Sequence, residues 1–244
     1  MFGAIPKRAW KRMYEADNEG ICLLAMNCLL VWNEKRVVLL DTGIGVKNLG
    51  KLSYYHFQHL EELTDLIRLQ GFEPEQVTDV VLSHLHFDHC GACTYTRDEK
   101  LNITFPEARH WVSKTQWDNY MNPNELEIHS FRQQDMIPVW KAGLVERIDG
   151  DYELFEGFNL SLFDGHTKGQ IVSFIELGNK EILLFPGDVI PTKANFSDSW
   201  ISAYDIEPLE SLAAKKTIKE WTGGKYVKYI FYHDAYEPEA ILLQ

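Results

Sequence analysis

The sequence predicts a layered α/β protein with mixed β-sheets. Short apolar runs of strand character come in groups, and stretches with helical spacing of apolar residues separate those groups. The length of 244 residues is enough for one sizeable core. We therefore expect a single domain over residues 1–244.

The first half begins with a predicted hairpin, in which the apolar runs 21–32 and 36–40 are joined by a polar turn at Asn33-Glu34-Lys35. Apolar residues at helical spacing predict a helix over about 51–70 that ends before Gly71. Three further strands and one helix, interrupted near two prolines, complete this half: 77–82, 103–105, 109–112 and about 113–142.

The second half repeats the strand pattern. Five apolar runs predict strands over 144–148, 152–155, 159–163, 171–177 and 181–185. Gly178-Asn179-Lys180 predicts a hairpin turn between the last two. A helix over about 208–221 is expected to stop at Gly223-Gly224, and a strand over 226–232 follows it.

Side chains of metal-ligand type cluster directly after the strand that ends at Leu82. His84 and His86 are two residues apart, so they project to the same side of an extended backbone. Asp88 and His89 follow once the chain turns, and they can reach a second point nearby. Imidazole and carboxylate together suit Zn²⁺ and similar divalent ions.

Three further candidate ligands each follow a predicted strand: His166, Asp188 and His233. Glycines beside the first two permit the tight backbone that lets a loop approach an ion. Five histidines and two aspartates are enough for two metal ions with three ligands each and one shared carboxylate. The other histidines have no such neighbours and are interpreted as structural or exposed: His56, His59, His110 and His129.

This order of residues resembles the metallo-β-lactamase superfamily, whose signature is H-x-H-x-D-H followed by three later ligands. The resemblance extends from about Asp41 to His233 and implies a four-layer αββα sandwich with the metals at one edge of the facing sheets. It also implies that His84, His86 and His166 hold one metal ion and that Asp88, His89 and His233 hold a second. Asp188 would be the carboxylate that bridges the two ions. Asp41, in Leu40-Asp41-Thr42-Gly43, matches the family's first motif, a buried carboxylate that orients a ligand imidazole.

Within the superfamily, several segments are similar to the branch of lactonase-like enzymes and methyl parathion hydrolase: 2–7, 83–91, 187–192 and Ala203-Tyr204-Asp205 with Pro208-Leu209. Two positions depart from the branch pattern. Pro191 stands where the best-known acyl-homoserine lactonases have a Tyr, and Lys168 stands where Pro usually follows Gly-His-Thr.

The resemblance implies a hydrolase in which a hydroxide that bridges two divalent metal ions opens a lactone or cleaves a similar ester. Zinc is the expected metal, although Mn, Fe and Co bind the same ligands. Asp188 would hold the two ions together, and Asp88 or Asp188 would relay a proton to the leaving group. Tyr204 or Tyr232 is a candidate for stabilising the oxyanion. The predicted substrate pocket is aromatic: Phe87, Phe196, Trp200 and Tyr204.

Two other functions stay open. Two metals serve phosphoryl transfer as well, so a hydrolase of small phosphotriesters or phosphodiesters is one alternative. A non-catalytic metal-binding or sensor protein is the other. A glyoxalase II-like thioesterase would need a further helical region after His233, and we expect none because the sequence stops shortly beyond that residue.

Composition narrows the partners to small molecules. A net charge of −12 argues against nucleic acid. The longest apolar stretch, 21–32, is shorter than the about 20 residues of a membrane span.

With no leader segment expected and four cysteines, we predict a cytoplasmic protein with reduced thiols. Cys90-Gly91-Ala92-Cys93 has the spacing of a redox motif, but its place in the ligand segment explains it better. A homodimer is a further expectation from base rates.

Overall fold

The computed structural model describes residues 1–47, 49–178 and 181–243, so the turn predicted at Gly178-Asn179-Lys180 lies largely outside the described residues. The strands, in chain order, are β1 Leu29–Trp32, β2 Val37–Leu40, β3 Asp79–Val81, β4 Thr94–Arg97, β5 Lys100–Ile103, β6 Arg109–Ser113, β7 Val145–Ile148, β8 Tyr152–Phe155, β9 Phe158–Phe163, β10 Gln170–Gly178, β11 Glu181–Phe185, β12 Tyr226–Ile230 and β13 Glu239–Leu243. The α-helices are α1 Lys7–Trp10, α2 Leu63–Leu69, α3 Phe87–Cys90, α4 Lys114–Met121, α5 Gln133–Lys141 and α6 Pro208–Thr222.

The chain divides into two compact units. The middle unit is Cys28–Ile148, and the terminal unit combines Met1–Asn27 with Asp149–Gln244. The single domain expected over residues 1–244 stays a prediction.

The middle unit is built on a five-stranded mixed sheet in the order β1-β2-β3-β6-β7. The first pair is antiparallel, and the other three pairs are parallel. All four residues of β2 are buried, which is typical of a strand inside a parallel sheet. One core unites side chains of the sheet with those of four helices: Ile67 of α2, Cys90 of α3, Trp117 of α4 and Val139 of α5. A small β4–β5 hairpin completes the unit.

The terminal unit is built on a six-stranded mixed sheet in the order β13-β12-β11-β10-β9-β8. Only β11 and β12 pair in parallel. Helix α6 starts at Pro208, where a missing N–H costs nothing, and its residues Ala214 and Ile218 enter the core of this sheet. The predicted fold class, α/β with mixed sheets, is confirmed.

Several boundaries differ from the sequence prediction. The helix expected over about 51–70 forms only over Leu63–Leu69, preceded by a 3₁₀ segment at Leu49–Tyr55. His56 and His59 adopt positive φ angles of 55° and 51°, which an α-helix cannot include. The helical stretch expected over about 113–142 is broken after Met121, near Pro123 as predicted, into α4 and α5. The second interruption, predicted near Pro138, is wrong, because α5 continues through that residue. No helix in residues 1–47, 49–178 and 181–243 is long and apolar enough to cross a membrane.

Candidate metal centre

The middle unit places its ligand candidates at the carboxyl ends of two parallel strands. Strands β2 and β3 pair with Leu40 opposite Val81, so the segments that follow them leave the sheet at the same edge. Asp41 takes a positive φ of 54° there. Its carboxylate accepts hydrogen bonds from the backbone N–H of Ser83 at 2.6 Å and from the Ser83 hydroxyl at 2.7 Å. The two strand ends are therefore tied together by one buried carboxylate.

The same carboxylate fixes the orientation of His89. His89 Nδ1 lies 2.8 Å from Asp41 Oδ2, and both side chains are fully buried. A carboxylate can only accept here, so the imidazole proton sits on Nδ1 and Nε2 keeps its lone pair. Asp41 thus stands where the family resemblance implies a residue that orients a ligand.

His84 and His86 lie side by side, as their spacing predicts. His84 Nε2 is 3.0 Å from His86 Nδ1. Two imidazole nitrogens that share a tetrahedral zinc ion at ordinary bond lengths stand about 3.4 Å apart. The pair therefore fits two ligands of one metal ion. Asp88, which is partly exposed, lies with its Oδ2 3.9 Å from His89 Nε2.

A residue that the sequence analysis missed supports His86. Glu127 is buried and places Oε1 3.3 Å from His86 Nε2. Its other carboxylate oxygen accepts hydrogen bonds from Asn119 Nδ2 at 3.0 Å and Asn124 Nδ2 at 2.5 Å. Glu127 therefore does for His86 what Asp41 does for His89, and it leaves His86 Nδ1 as the ligand atom. No motif marks it, since it follows α4 in an irregular segment.

Replacing Glu127 with Gln is expected to weaken zinc binding about 10-fold, because the imidazole loses its charged acceptor. Competition against a chromophoric chelator would measure the change. Glu125→Gln, which alters an exposed carboxylate two residues away, is the matched control. Equal affinity in the two variants would remove Glu127 from the metal centre.

A glycine makes the ligand turn possible. Helix α3 is one turn, Phe87–Cys90, and Gly91 follows it directly. A Cβ atom on Gly91 would lie 2.2 Å from the backbone oxygen of Ile44. Only glycine allows this approach, which places the backbone N–H of Thr42 2.7 Å from the carbonyl oxygen of His89.

The terminal unit also gathers its candidates at one sheet edge. Strand β10 runs antiparallel to β9 and β11, and β12 runs parallel to β11. Strands β9, β11 and β12 therefore all point the same way. His166, Asp188 and His233 follow these three strands.

Asp188 lies between the two histidines. Its Oδ2 is 3.3 Å from His166 Nε2 and 3.3 Å from His233 Nε2. His166 Nδ1 lies 3.1 Å from Asp205 Oδ1, and His233 Nδ1 lies 2.8 Å from the carbonyl oxygen of Ala25. Both partners can only accept, so both Nε2 atoms direct lone pairs toward a carboxylate oxygen. The two Nε2 atoms and the carboxylate oxygen are three electron-pair donors that face one another. A cation between them would balance this arrangement, so these residues fit a metal ion.

Asp205 is the second supporting residue to which the sequence analysis gave no role. Its side chain is nearly fully buried and contacts His166 from the segment before α6. Gly165 allows this arrangement, because it adopts a φ of 133° and a Cβ there would lie 2.4 Å from Ser211 Oγ. The only sequence signal for Asp205 is its place in Ala203-Tyr204-Asp205.

The predicted pocket residues occupy different surroundings. Phe87 is half-buried, with its ring centroid 5.7 Å from that of Tyr55. Phe196 packs on Tyr229 at 5.3 Å. Trp200 lies 6.3 Å from Phe2. Tyr204 is 58% exposed, and Tyr232 is fully buried. Their roles in substrate binding or oxyanion stabilisation stay predictions.

The remaining histidines and the cysteines behave as core or surface residues. Burial lowers the pKa of His110 to about 4, while His56, His59 and His129 are exposed. All four cysteines are free, and burial raises the pKa of the Cys93 thiol to about 12. Cys90 donates to the carbonyl oxygen of Leu85 at 3.4 Å. Burial also raises the pKa of the Cys90 thiol, so Cys90 and Cys93 are poor nucleophiles, which agrees with a packing role.

Residues 24–240 match the family model described as "Metallo-beta-lactamase superfamily". The chain belongs to this superfamily. N-acyl homoserine lactonase AiiA of Bacillus thuringiensis subsp. kurstaki is 27% identical over 218 residues, covering 85% of this chain and 80% of the lactonase. The chain is a metal-dependent hydrolase, as the sequence analysis predicts.

Two solved structures share the fold of this superfamily member. A probable metal-dependent hydrolase from Staphylococcus aureus superposes with a TM-score of 0.88 at 22% identity, covering 100% of this chain and 91% of that one. AidC, a dizinc quorum-quenching lactonase in complex with a product, superposes with a TM-score of 0.76 at 24% identity. The second match covers 98% of this chain and 81% of AidC.

Proposed function

We propose that this metallo-β-lactamase superfamily hydrolase opens a lactone or cleaves a similar carboxylic ester. The observation that carries the proposal is the position of Asp188, whose Oδ2 faces the Nε2 atoms of His166 and His233 at 3.3 Å each. Relatives named as N-acyl homoserine lactonases support the substrate class, and they make these lactones the first to test.

The ligand assignment implied by the family resemblance is part of this proposal. The residues His84, His86 and His166 would hold one metal ion, and Asp88, His89 and His233 would hold the other. Asp188 is the proposed bridging carboxylate. Zinc is the proposed metal, because the set is mostly imidazole with a few carboxylates. When bound, two such ions polarise a carbonyl oxygen and lower the pKa of water towards neutrality.

The protein's own contribution is to hold each ligand in one orientation. Asp41, Glu127 and Asp205 accept from the far ring nitrogens of three histidines, and the carbonyl oxygen of Ala25 does so for His233. This pre-organisation removes the cost of ordering the imidazoles during the reaction.

The two catalytic aspartates differ in exposure. Asp188 is buried, while the Asp88 side chain keeps about a quarter of its surface open. Asp88 can therefore exchange a proton with a leaving alkoxide more readily. A phenol cannot serve at position 191, since the residue there is Pro191, whose carbonyl oxygen instead accepts from the backbone N–H of His233 at 2.9 Å.

Hydrolysis of a matched pair of substrates tests the proposal. Zinc-reconstituted protein would be assayed with a long-chain acyl-homoserine lactone and an aryl phosphotriester, each with an Asp188→Ala control. We expect the wild type to hydrolyse the lactone and the Asp188→Ala control not to hydrolyse it. Turnover of the phosphotriester alone would replace the proposed function with phosphotriester hydrolysis. Two bound metals without turnover of either substrate would direct the search to other lactones and esters and to phosphodiesters.

A further inference from the structure

The middle unit contains a cavity beside its ligand cluster. Its volume is about 440 Å³, and it is lined by Lys51, Leu52, Phe131, Arg132, Gln133 and Gln134. None of these residues belongs to the proposed ligand set. The cavity is large enough for a substituent of several heavy atoms.

The cavity adjoins the histidine motif. The ring of Phe131, one of its walls, lies 5.2 Å from the ring of His86. The guanidinium carbon of Arg132 lies 5.7 Å from the ring centroid of Phe87, and Phe87 stands between two proposed ligands. The backbone N–H of Phe87 also donates to the carbonyl oxygen of Ser130 at 2.8 Å. A substrate held at the motif can therefore place a substituent in this cavity.

The charge of the lining is the opposite of that of the whole protein. Among the described residues that line it, the charged ones are Lys51 and Arg132, and both are cationic, whereas the chain carries a net charge of −12. The nearest carboxylate in sequence, Asp135, is fully buried and pairs with Lys47 Nζ at 2.8 Å. Within residues 1–47, 49–178 and 181–243, neither lining cation forms an ion pair. Arg132 also acts electrostatically on Asp135, but the ion-pair partner of that carboxylate is Lys47. Both lining cations can therefore still contact a ligand.

We propose that this cavity binds an anionic oxygen group of the substrate, a carboxylate or a phosphate, and that Arg132 is a residue that determines specificity. This rests on the proposed ester or lactone hydrolysis and narrows it to substrates with a second, negatively charged end. A guanidinium binds such groups through two parallel N–H donors, and the amide of Gln133 adds further donors. The apolar body of the substrate then lies along Phe87 and Tyr55, whose rings are 5.7 Å apart.

Paired esters test the proposal in the zinc-reconstituted protein. The anionic substrates are the 4-nitrophenyl half-esters of adipic and suberic acids, and the neutral partners are 4-nitrophenyl hexanoate and octanoate. We expect the wild type to prefer the anionic ester about 10-fold in kcat/KM, which corresponds to one charge-assisted contact. Arg132→Gln should abolish that preference through KM and leave the neutral esters within about twofold.

Arg97→Gln, which removes an exposed arginine of the β4–β5 hairpin, is the matched control and should keep the preference. Calorimetric titration with adipate and with inorganic phosphate supplies a readout that does not need turnover. Both variants would be titrated alongside the wild type. The anion that binds more weakly to Arg132→Gln than to Arg97→Gln identifies carboxylate or phosphate as the group recognised.

The outcomes separate the two proposals. Suppose that the wild type hydrolyses esters without preferring the anionic ones and that Arg132→Gln binds anions as the wild type does. The anion site would then be wrong, and the proposed ester hydrolysis would stand. Anion binding that needs Arg132, without turnover of any ester, would keep the anion site and overturn the ester hydrolase.

Discussion

Replacing Asp188 with Asn is expected to lower kcat for any hydrolysed substrate by about 1,000-fold. The carboxylate faces His166 Nε2 and His233 Nε2 at 3.3 Å, and an amide there removes the negative charge that a cation would meet. Metal content should fall in parallel. The measurement is metal analysis of the purified variant together with its kinetics.

Asp118→Asn, in an exposed turn of α4, is the control for Asp188→Asn. It should retain the metal content and the kcat of the wild type. If Asp188→Asn kept both as well, the bridging assignment would be wrong, and the centre would have to be built without this carboxylate.

Replacing Lys47 with Met is expected to cost about 3–5 kcal/mol of the free energy of unfolding, the largest stability effect that we predict. Lys47 pairs with Asp135 at 2.8 Å, with both side chains inaccessible, and it also donates to the carbonyl oxygens of Gly91 and Thr94. Its loss leaves a buried carboxylate and two carbonyls without their donor. Urea unfolding would measure the change.

The loss of stability in Lys47→Met should depend on pH. Burial raises the pKa of Asp135 to about 6 in the folded protein, and Lys47 opposes that rise. Protonation of Asp135 therefore favours the folded state, and this contribution is present at low pH and lost as the pH rises through the folded pKa. Without Lys47 the folded pKa rises further. The difference in unfolding free energy from the wild type should be larger at pH 8 than at pH 5.

The double variant Lys47→Met/Asp135→Leu checks the cause of this effect. It removes both charges, so it should recover most of the lost stability and lose the extra pH dependence. A double variant as unstable as the single one would show that the contacts of Lys47 with the Gly91 and Thr94 carbonyls matter more than the ion pair.

The sequence was sufficient to predict those site residues whose positions follow from the local backbone. His84 and His86 are close because an extended backbone places alternate side chains on one side, and Asp41 is identifiable because a strand ends directly before it. Glu127 could not be predicted in the same way. It reaches His86 from an irregular segment after α4, and hydrogen bonds from Asn119 and Asn124 hold it there.

The same distinction explains the errors in the fold. Apolar spacing over about 51–70 predicted a helix, yet the left-handed backbone at His56 and His59 cannot be read from apolar spacing. Strand β13, Glu239–Leu243, was missed because its pairing with β12 is set by tertiary structure. Helix α1 and strand β4 were not predicted either. Most of the other elements were predictable, since their apolar pattern reflects burial along each element.

The partner of His233 has a consequence for natural variation. Three of the proposed ligand histidines are oriented by carboxylate side chains, whereas His233 is oriented by the main-chain oxygen of residue 25. Every amino acid carries that oxygen, so drift at position 25 leaves the contact chemically intact. The vulnerable position is Asn27, whose amide donates to the carbonyl oxygens of Phe231 and Asp234 at 2.9 and 2.8 Å and keeps the two segments together. A mutational scan of the site would therefore find position 25 tolerant of every residue except Pro, whose backbone lacks the N–H that donates to the His233 carbonyl oxygen, and position 27 sensitive.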